Sequence, residues 1–242
     1  MARRGSRAAR RGVGVTARRA WQHGPVTDPD DLVPDAAEWD ERYGATERVW
    51  SGEPNGTLVA EVDGLSPGRA LDVGCGEGAD AVWLASRGWR VTALDVSRVA
   101  LDRAERHARK AGVEVTWRRT GLVEAGLPRG VFDLVSAQYP VLRKTTDASA
   151  EHLLLDLVAP GGTLLVVHHD VEREPDHAHE GGFEPFDPAL YVLPADVAAV
   201  LGPQWRIDVD ERRPRVVHGG GGAHHQLDLV LRAERLRHPA ST

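Results

Sequence analysis

From residue 68 onward the chain alternates between two hydrophobic periods. The runs RALDV (69–73), WRVTALD (89–95), VEVTW (113–117), VFDLVSA (131–137) and TLLVVHH (163–169) have the length and apolar content of buried strands. Between them lie stretches of helical period. GADAVWLASRG (78–88) closes at Gly88. Ser97 is placed to cap a helix that carries Val99, Leu101, Ala104, Ala108 and Ala111 near one face and stops at Gly112. Residues 147–158 carry Leu153, Leu154, Leu157 and Val158 before Pro160-Gly161-Gly162. This alternation predicts an α/β fold: a doubly wound, parallel sheet with right-handed crossovers. The tail breaks the pattern. A short helix from Pro194 to Leu201 precedes WRIDVDE (205–211) and QLDLVLRA (226–233), joined by RRPRVVHGGGGAHH, which predicts an antiparallel hairpin with a mobile loop closing the sheet.

The flanks read differently. Residues 36–62 hold Trp39, Tyr43 and Trp50 in an amphipathic stretch, predicting one or two short helices that lie on the domain. Residues 1–35 are Arg-rich, then rich in Gly, Pro and Asp, and are expected to form a disordered or loosely docked arm. Residues 36–236 are then one domain.

Composition narrows the partners. Residues 1–20 contain seven Arg and no acid; without them the formal net charge moves from -6 to -13. Such an acidic body is a poor nucleic-acid surface. No run of eighteen apolar residues is present, so no membrane span is expected, and the basic start has no apolar segment behind it to make a secretory signal. A cytoplasmic protein, monomeric or a homodimer, is expected. The single cysteine, Cys75, excludes an internal disulfide and a Cys-rich zinc site. His177, His179, His218, His224 and His225 fall in Gly- and Pro-rich loops without metal-ligand spacing, so no metal is expected.

The most informative segment is Leu71-Asp72-Val73-Gly74-Cys75-Gly76-Glu77-Gly78, where a strand ends and a helix begins. Glycines let the backbone turn sharply and approach a ligand, and the helix start supplies unpaired N–H donors. Seventeen residues on, Asp95 ends the next strand, where a carboxylate accepts hydrogen bonds from ribose hydroxyls. The spacing is Gly-x-Gly-x-Gly, not the dinucleotide pattern, and Asp72 would repel a pyrophosphate. Its carboxylate favours a cationic ligand part such as an amino-acid ammonium. These features point to S-adenosylmethionine and away from a nicotinamide dinucleotide.

LDVGCGEGADAVWLASRGWRVTALDVS resembles the cofactor segment of class I S-adenosylmethionine-dependent methyltransferases, and WDERYG, FDLVSAQY and LVAPGGTLLVV extend the likeness over roughly residues 36–233. The small-molecule group that includes thiopurine S-methyltransferase and the tellurite-resistance methyltransferases is the most similar. The resemblance implies a seven-stranded Rossmann-like sheet of order 3-2-1-4-5-7-6 with the last strand antiparallel. It implies that Gly74, Gly76 and Gly78 wrap the amino-acid half of the cofactor, supported by Asp72. Asp95 would bind the ribose, Val96 would pack on the adenine, and Leu122 would lie in the second adenine-side loop. Gln138 and Tyr139 would face the methionine part and the substrate, and Trp39 and Tyr43 would belong to a lid (36–62) over the sulfonium. Two departures stand out: Gly121 occupies a position that is commonly acidic, with Glu124 as a substitute, and Tyr139-Pro140 follows strand four.

Methyl transfer from a sulfonium is an in-line displacement that needs alignment and exclusion of water. A thiolate or neutral ring nitrogen needs no base; a hydroxyl does, usually His. His168 and His169 end strand five, and alternation puts one of them toward the cleft, with His169 favoured and Asp170 beside it. Tyr139 is a further candidate for catalysis. Arg143 is a candidate anion contact, and the segments 171–193 and 212–225 are placed to shape a small-molecule pocket. Two other readings stay open: a non-methylating enzyme of the same fold, and a nucleic-acid methyltransferase guided by the Arg arm.

Overall fold

A computed structural model of the chain describes residues 36–170, 187–215, 220, 223 and 225–237. The expected arm (1–35) and most of the two expected pocket loops lie outside the described residues.

The sheet has seven strands: β1 (Arg69–Val73), β2 (Arg90–Asp95), β3 (Thr116–Arg119), β4 (Phe132–Gln138), β5 (Val158–His169), β6 (Trp205–Pro214) and β7 (Leu227–Arg235). Their order is β3-β2-β1-β4-β5-β7-β6, as expected. The first five run parallel, and β7 is antiparallel to both β5 and β6. Order reverses at β1, so a crevice opens past the carboxyl ends of β1 and β4.

Among the described residues six α-helices cover the sheet: α1 (Ala36–Gly44), α2 (Gly56–Val62), α3 (Ala79–Ser86), α4 (Arg98–Ala111), α5 (Ser149–Leu157) and α6 (Pro194–Ala199). One sheet face packs Val73, Val135, Leu164 and Val166 with Leu154, Leu157 and Val197 of α5 and α6. The other packs Ala70, Leu134, Leu165 and Val167 with Leu58, Val62, Ala81 and Leu84 of α2 and α3. Each fully buried leucine contributes about 2 kcal/mol. Both faces being covered explains why the central strands read as continuous apolar runs rather than alternating ones.

Boundaries differ most at two strands: the fifth begins at Val158 rather than at residue 163 and includes Pro160-Gly161-Gly162, the expected helix stop. The third strand begins at Thr116, not at residue 113. Gly112 adopts φ 70°, its N–H bonds to the Arg109 carbonyl, and the Val113 N–H bonds back to the Ala108 carbonyl. Val113 therefore completes the helix cap, which the apolar pattern of VEVTW does not reveal. The buried face of α4 is Ala100, Leu101, Ala104 and Ala108.

Candidate active site

At the carboxyl end of β1 the backbone turns through Gly74, Gly76 and Gly78, with φ of 71°, 52° and 80°. Two of these positions have distinct reasons to lack a side chain. A Cβ on Gly78 would come within 2.7 Å of the Ala104 Cβ and 2.8 Å of the Trp117 ring, so this glycine lets the start of α3 pack on α4. A Cβ on Gly74 would meet nothing within 4 Å, so the space above it is open.

Two acids flank this turn. Asp95 accepts from the Gly76 N–H and from the Ser97 N–H, both at 2.8 Å. Burial outweighs these bonds and pushes its pKa up to about 6. Asp72 lies in register with Ser136 across β1 and β4, and it is buried. Its Oδ2 has no hydrogen-bond partner in the described structure. Burial, then the nearby carboxylates of Asp80 and Asp95, hold its pKa well above the usual carboxylate range. Asp80 itself accepts from the backbone and side-chain nitrogens of Asn55, each at 2.7 Å.

The aromatic N-terminal segment docks over this turn. Tyr43 is buried, its hydroxyl accepts from the Trp50 indole at 2.9 Å, and both groups face Gly76. Trp39 stands 5.9 Å from the Tyr43 ring. Three polar links hold the segment. Glu77 accepts from the Val49 and Trp50 N–H groups. Arg103 bridges Glu77 at 2.7 Å and donates to the Tyr43 carbonyl at 2.6 Å. Asp40 accepts from the Ser97 hydroxyl at 2.6 Å and from the Val99 N–H, thereby capping α4.

A second polar cluster sits where β4, β5 and β7 end. Tyr139 has φ 52°, uncommon for a bulky residue, and this turns its ring onto His169 with centroids 4.1 Å apart. The His225 ring stacks on His169 at 4.0 Å. Below them Asp228, 1% exposed, accepts from the Tyr139 hydroxyl and from the Thr57 hydroxyl, each at 3.0 Å. Arg215 donates to the Tyr139 hydroxyl at 3.0 Å and lies 3.8 Å from Asp228. The His169 Nδ1 is 3.8 Å from the Asp228 carboxylate. Burial pushes the His169 pKa down to about 3 and that of His168 to about 4, so both rings are neutral at pH 7.

Pairing of His169 with Asp228 and of Asp72 with Ser136 puts His169, Asp228, Ser136, Gln138 and Asp72 on one sheet face. His168 pairs with Leu229 and turns to the opposite face. Gln138 is buried, donates to the Ser136 hydroxyl at 3.0 Å, and leaves its Oε1 without a partner in the described structure. Val96 is half-buried, and its carbonyl accepts from Arg119. Leu122 is buried in the core with Ala125 and Phe132. Asp170 does not serve His169; it accepts from Arg212 at 2.6 Å. Arg143 pairs with Tyr191 in an isolated bridge. Among the described residues no group of three metal-ligating side chains occurs, and no helix is long and apolar enough to cross a membrane. Thr57, Asp228 and Arg215, and the stacking role of His225, carry no signal in the sequence, because each lies in an unremarkable local pattern.

The turn fits S-adenosylmethionine. A buried, unpartnered acceptor on Asp72 suits an ammonium, the open space over Gly74 admits a ligand, and Asp95 keeps lone pairs for ribose hydroxyls. Comparison with known proteins agrees. Residues 70–162 match the family described as a methyltransferase domain. The ubiquinone biosynthesis O-methyltransferase of Alkalilimnicola ehrlichii is 39% identical over 115 residues, 46% of this chain and 45% of that protein. The chain thus spans about half the length of the curated relatives it matches. A structure described as concerning the conversion of a disulfide bond into a thioacetal group during echinomycin biosynthesis superposes with TM-score 0.63 at 22% identity, covering 85% of this chain and 94% of that one. TehB of Haemophilus influenzae superposes with TM-score 0.52 at 14% identity, covering 75% and 62%.

Over residues 70–162 the chain is similar to the methyltransferase-domain family, and its fold is that of the superposed structures.

Proposed function

We propose that this protein transfers the methyl group of S-adenosylmethionine to a small molecule by in-line displacement. The observation that carries the reading is the shared sheet face. The unpartnered Asp72 oxygen and the Tyr139–His169 cluster lie on the same side of β1, β4 and β5, so donor and acceptor sites adjoin.

In this reading Asp72 and Gln138 hold the amino-acid half, beside Gly74, Gly76 and Gly78. Asp95 holds the ribose, Val96 and Leu122 flank the adenine, and Trp39 and Tyr43 cover the sulfonium. An aromatic cover suits a cation and excludes water. His169 and Tyr139 face the acceptor. His168, on the opposite face, is left in a packing role. The acidic body, formal charge -13 without the first twenty residues, favours a small acceptor over a nucleic acid.

The test is calorimetric titration with S-adenosylmethionine and S-adenosylhomocysteine, with NADH as control, on the wild type and Asp95→Ala. Binding of both adenosyl ligands, weakened in the variant, followed by label transfer from methyl-labelled cofactor to a small-molecule extract, is the expected result. Binding of NADH alone refutes the reading.

A further inference from the structure

His169 is held in an unusual way. Its ring lies between Tyr139 and His225, stacked on both at 4.1 and 4.0 Å with interplanar angles of 22° and 17°. Both faces are thus occupied, and only the ring edge is left to act. On that edge Nδ1 is turned toward the Asp228 carboxylate 3.8 Å away and is buried without a hydrogen bond. Nε2 is on the other side of the ring.

Asp228 is itself fixed. It comes from β7, opposite His169 in the antiparallel register. It receives the Tyr139 hydroxyl from just past β4 and the Thr57 hydroxyl from α2, and Arg215 approaches from just past β6. Four separate elements therefore converge to immobilise one buried carboxylate beside one unpaired imidazole nitrogen. A thiolate or ring-nitrogen acceptor has no use for such an arrangement.

We propose that the acceptor is a hydroxyl and that Asp228 is the positioning residue that orients His169 to take its proton. The inference rests on the methyl-transfer reading above. The hydroxyl oxygen of the acceptor forms a bond to the sulfonium methyl carbon. The carbon–sulfur bond breaks and its electron pair stays on sulfur, giving the neutral thioether. The acceptor O–H bond breaks and its proton passes to Nε2 of His169. The imidazolium then donates from Nδ1 to Asp228, closing the 3.8 Å gap, and the proton leaves to solvent in the next step. Cofactor and alcohol become thioether, ether and one proton. A weakly basic imidazole suffices, because the hydroxyl becomes far more acidic as the carbon–oxygen bond forms. Neutrality of His169 at rest, which burial enforces, keeps the lone pair available.

The experiment uses the full chain with methyl-labelled S-adenosylmethionine and two probe sets: catechol and 4-hydroxybenzoate as hydroxyl acceptors, and thiophenol, which ionises by itself. Wild type is expected to methylate a phenol. His169→Gln is expected to lose about 100-fold or more in kcat on that phenol, and Asp228→Asn about tenfold or more, with each phenol loss exceeding the same variant's thiophenol loss by about tenfold for His169→Gln and threefold for Asp228→Asn, and with cofactor bound within twofold. A variant that is merely misfolded lowers both acceptors alike, and that outcome overturns the proposal. So does transfer to thiophenol with no phenol accepted, bound cofactor with no transfer to either phenol, or a His169→Gln enzyme as active on phenols as wild type. Should Asp228→Asn fail to fold, His169→Gln decides by the same acceptor ratio. Failure of the wild type to bind the cofactor refutes the methyl-transfer reading instead, and calorimetry reads that separately.

Discussion

Asp95 accepts the N–H of Gly76 at 2.8 Å, so the acid that ends β2 and the turn that follows β1 form one unit. Removing the carboxylate therefore loosens the turn and, in the proposed reading, removes a contact to the ribose. Asp95→Ala is expected to weaken S-adenosylmethionine binding by about 10- to 100-fold, the range for charge-assisted hydrogen bonds. Calorimetry reads the affinity. Asp95→Asn should recover part of it, and equal affinities for the two variants would contradict the contact.

The same acid makes stability depend on pH. An aspartate of ordinary pKa, 3.8, releases its proton well before the folded Asp95, whose value is about 6. Between these values the folded state binds more protons than the unfolded one, so stability falls as pH rises through the window. The penalty is fully present above pH 6 and amounts to about 2–3 kcal/mol. Urea unfolding without cofactor is expected to give a shallower decline from pH 4 to 7 for Asp95→Asn than for wild type. Asp72, raised in the same direction, adds that cofactor binding expels protons. Titrations in two buffers of different ionisation enthalpy should give different apparent heats.

Gly74 and Gly78 separate folding from binding. Gly78→Ala forces a Cβ against Ala104 and Trp117 at φ 80° and should destabilise the fold by about 2–4 kcal/mol. Gly74→Ala meets no protein atom, so its cost is the backbone strain alone, about 1–2 kcal/mol. Its Cβ projects into the open space proposed for the ligand. Thermal unfolding should rank Gly78→Ala as the less stable, while calorimetry shows cofactor affinity lost in Gly74→Ala.

Arg103 is the bolt of the aromatic segment, with a side chain mostly buried against Glu77 and the Tyr43 carbonyl. Arg103→Ala leaves the Glu77 carboxylate without its cation, at a cost of about 3 kcal/mol. Hydrogen exchange of residues 39–52 should accelerate with that of β1, β4 and β5 unchanged. Uniform acceleration across the sheet would show that the segment is not a separate unit.

Sequence order made the glycine-turn half of the candidate site legible, because its parts are consecutive. A strand, a glycine turn and the next strand's acid span residues 69–95, and local rules suffice to join them. The second polar cluster was legible only where a strand end announced it, at Tyr139 and His169. Thr57 and Asp228 are 171 residues apart and meet only because β7 returns antiparallel beside β5. The register that sets Asp228 opposite His169 is a property of the β5–β7 pairing, not of either segment. Adjacency misled for the same reason: Asp170 follows His169 in the chain, yet it pairs with Arg212 across the sheet edge.

Tyr139 holds a left-handed backbone conformation that glycine or asparagine adopts more easily. Tyr139→Gly or Tyr139→Asn would relieve about 1 kcal/mol of that strain, but each would lose the ring that stacks on His169 and the hydroxyl that Asp228 accepts, at a cost of about 3 kcal/mol or more. A library screened for heat resistance alone would therefore retain tyrosine at residue 139. The strained backbone there survives because its neighbours outweigh it, so selection for robustness leaves this corner of the site intact.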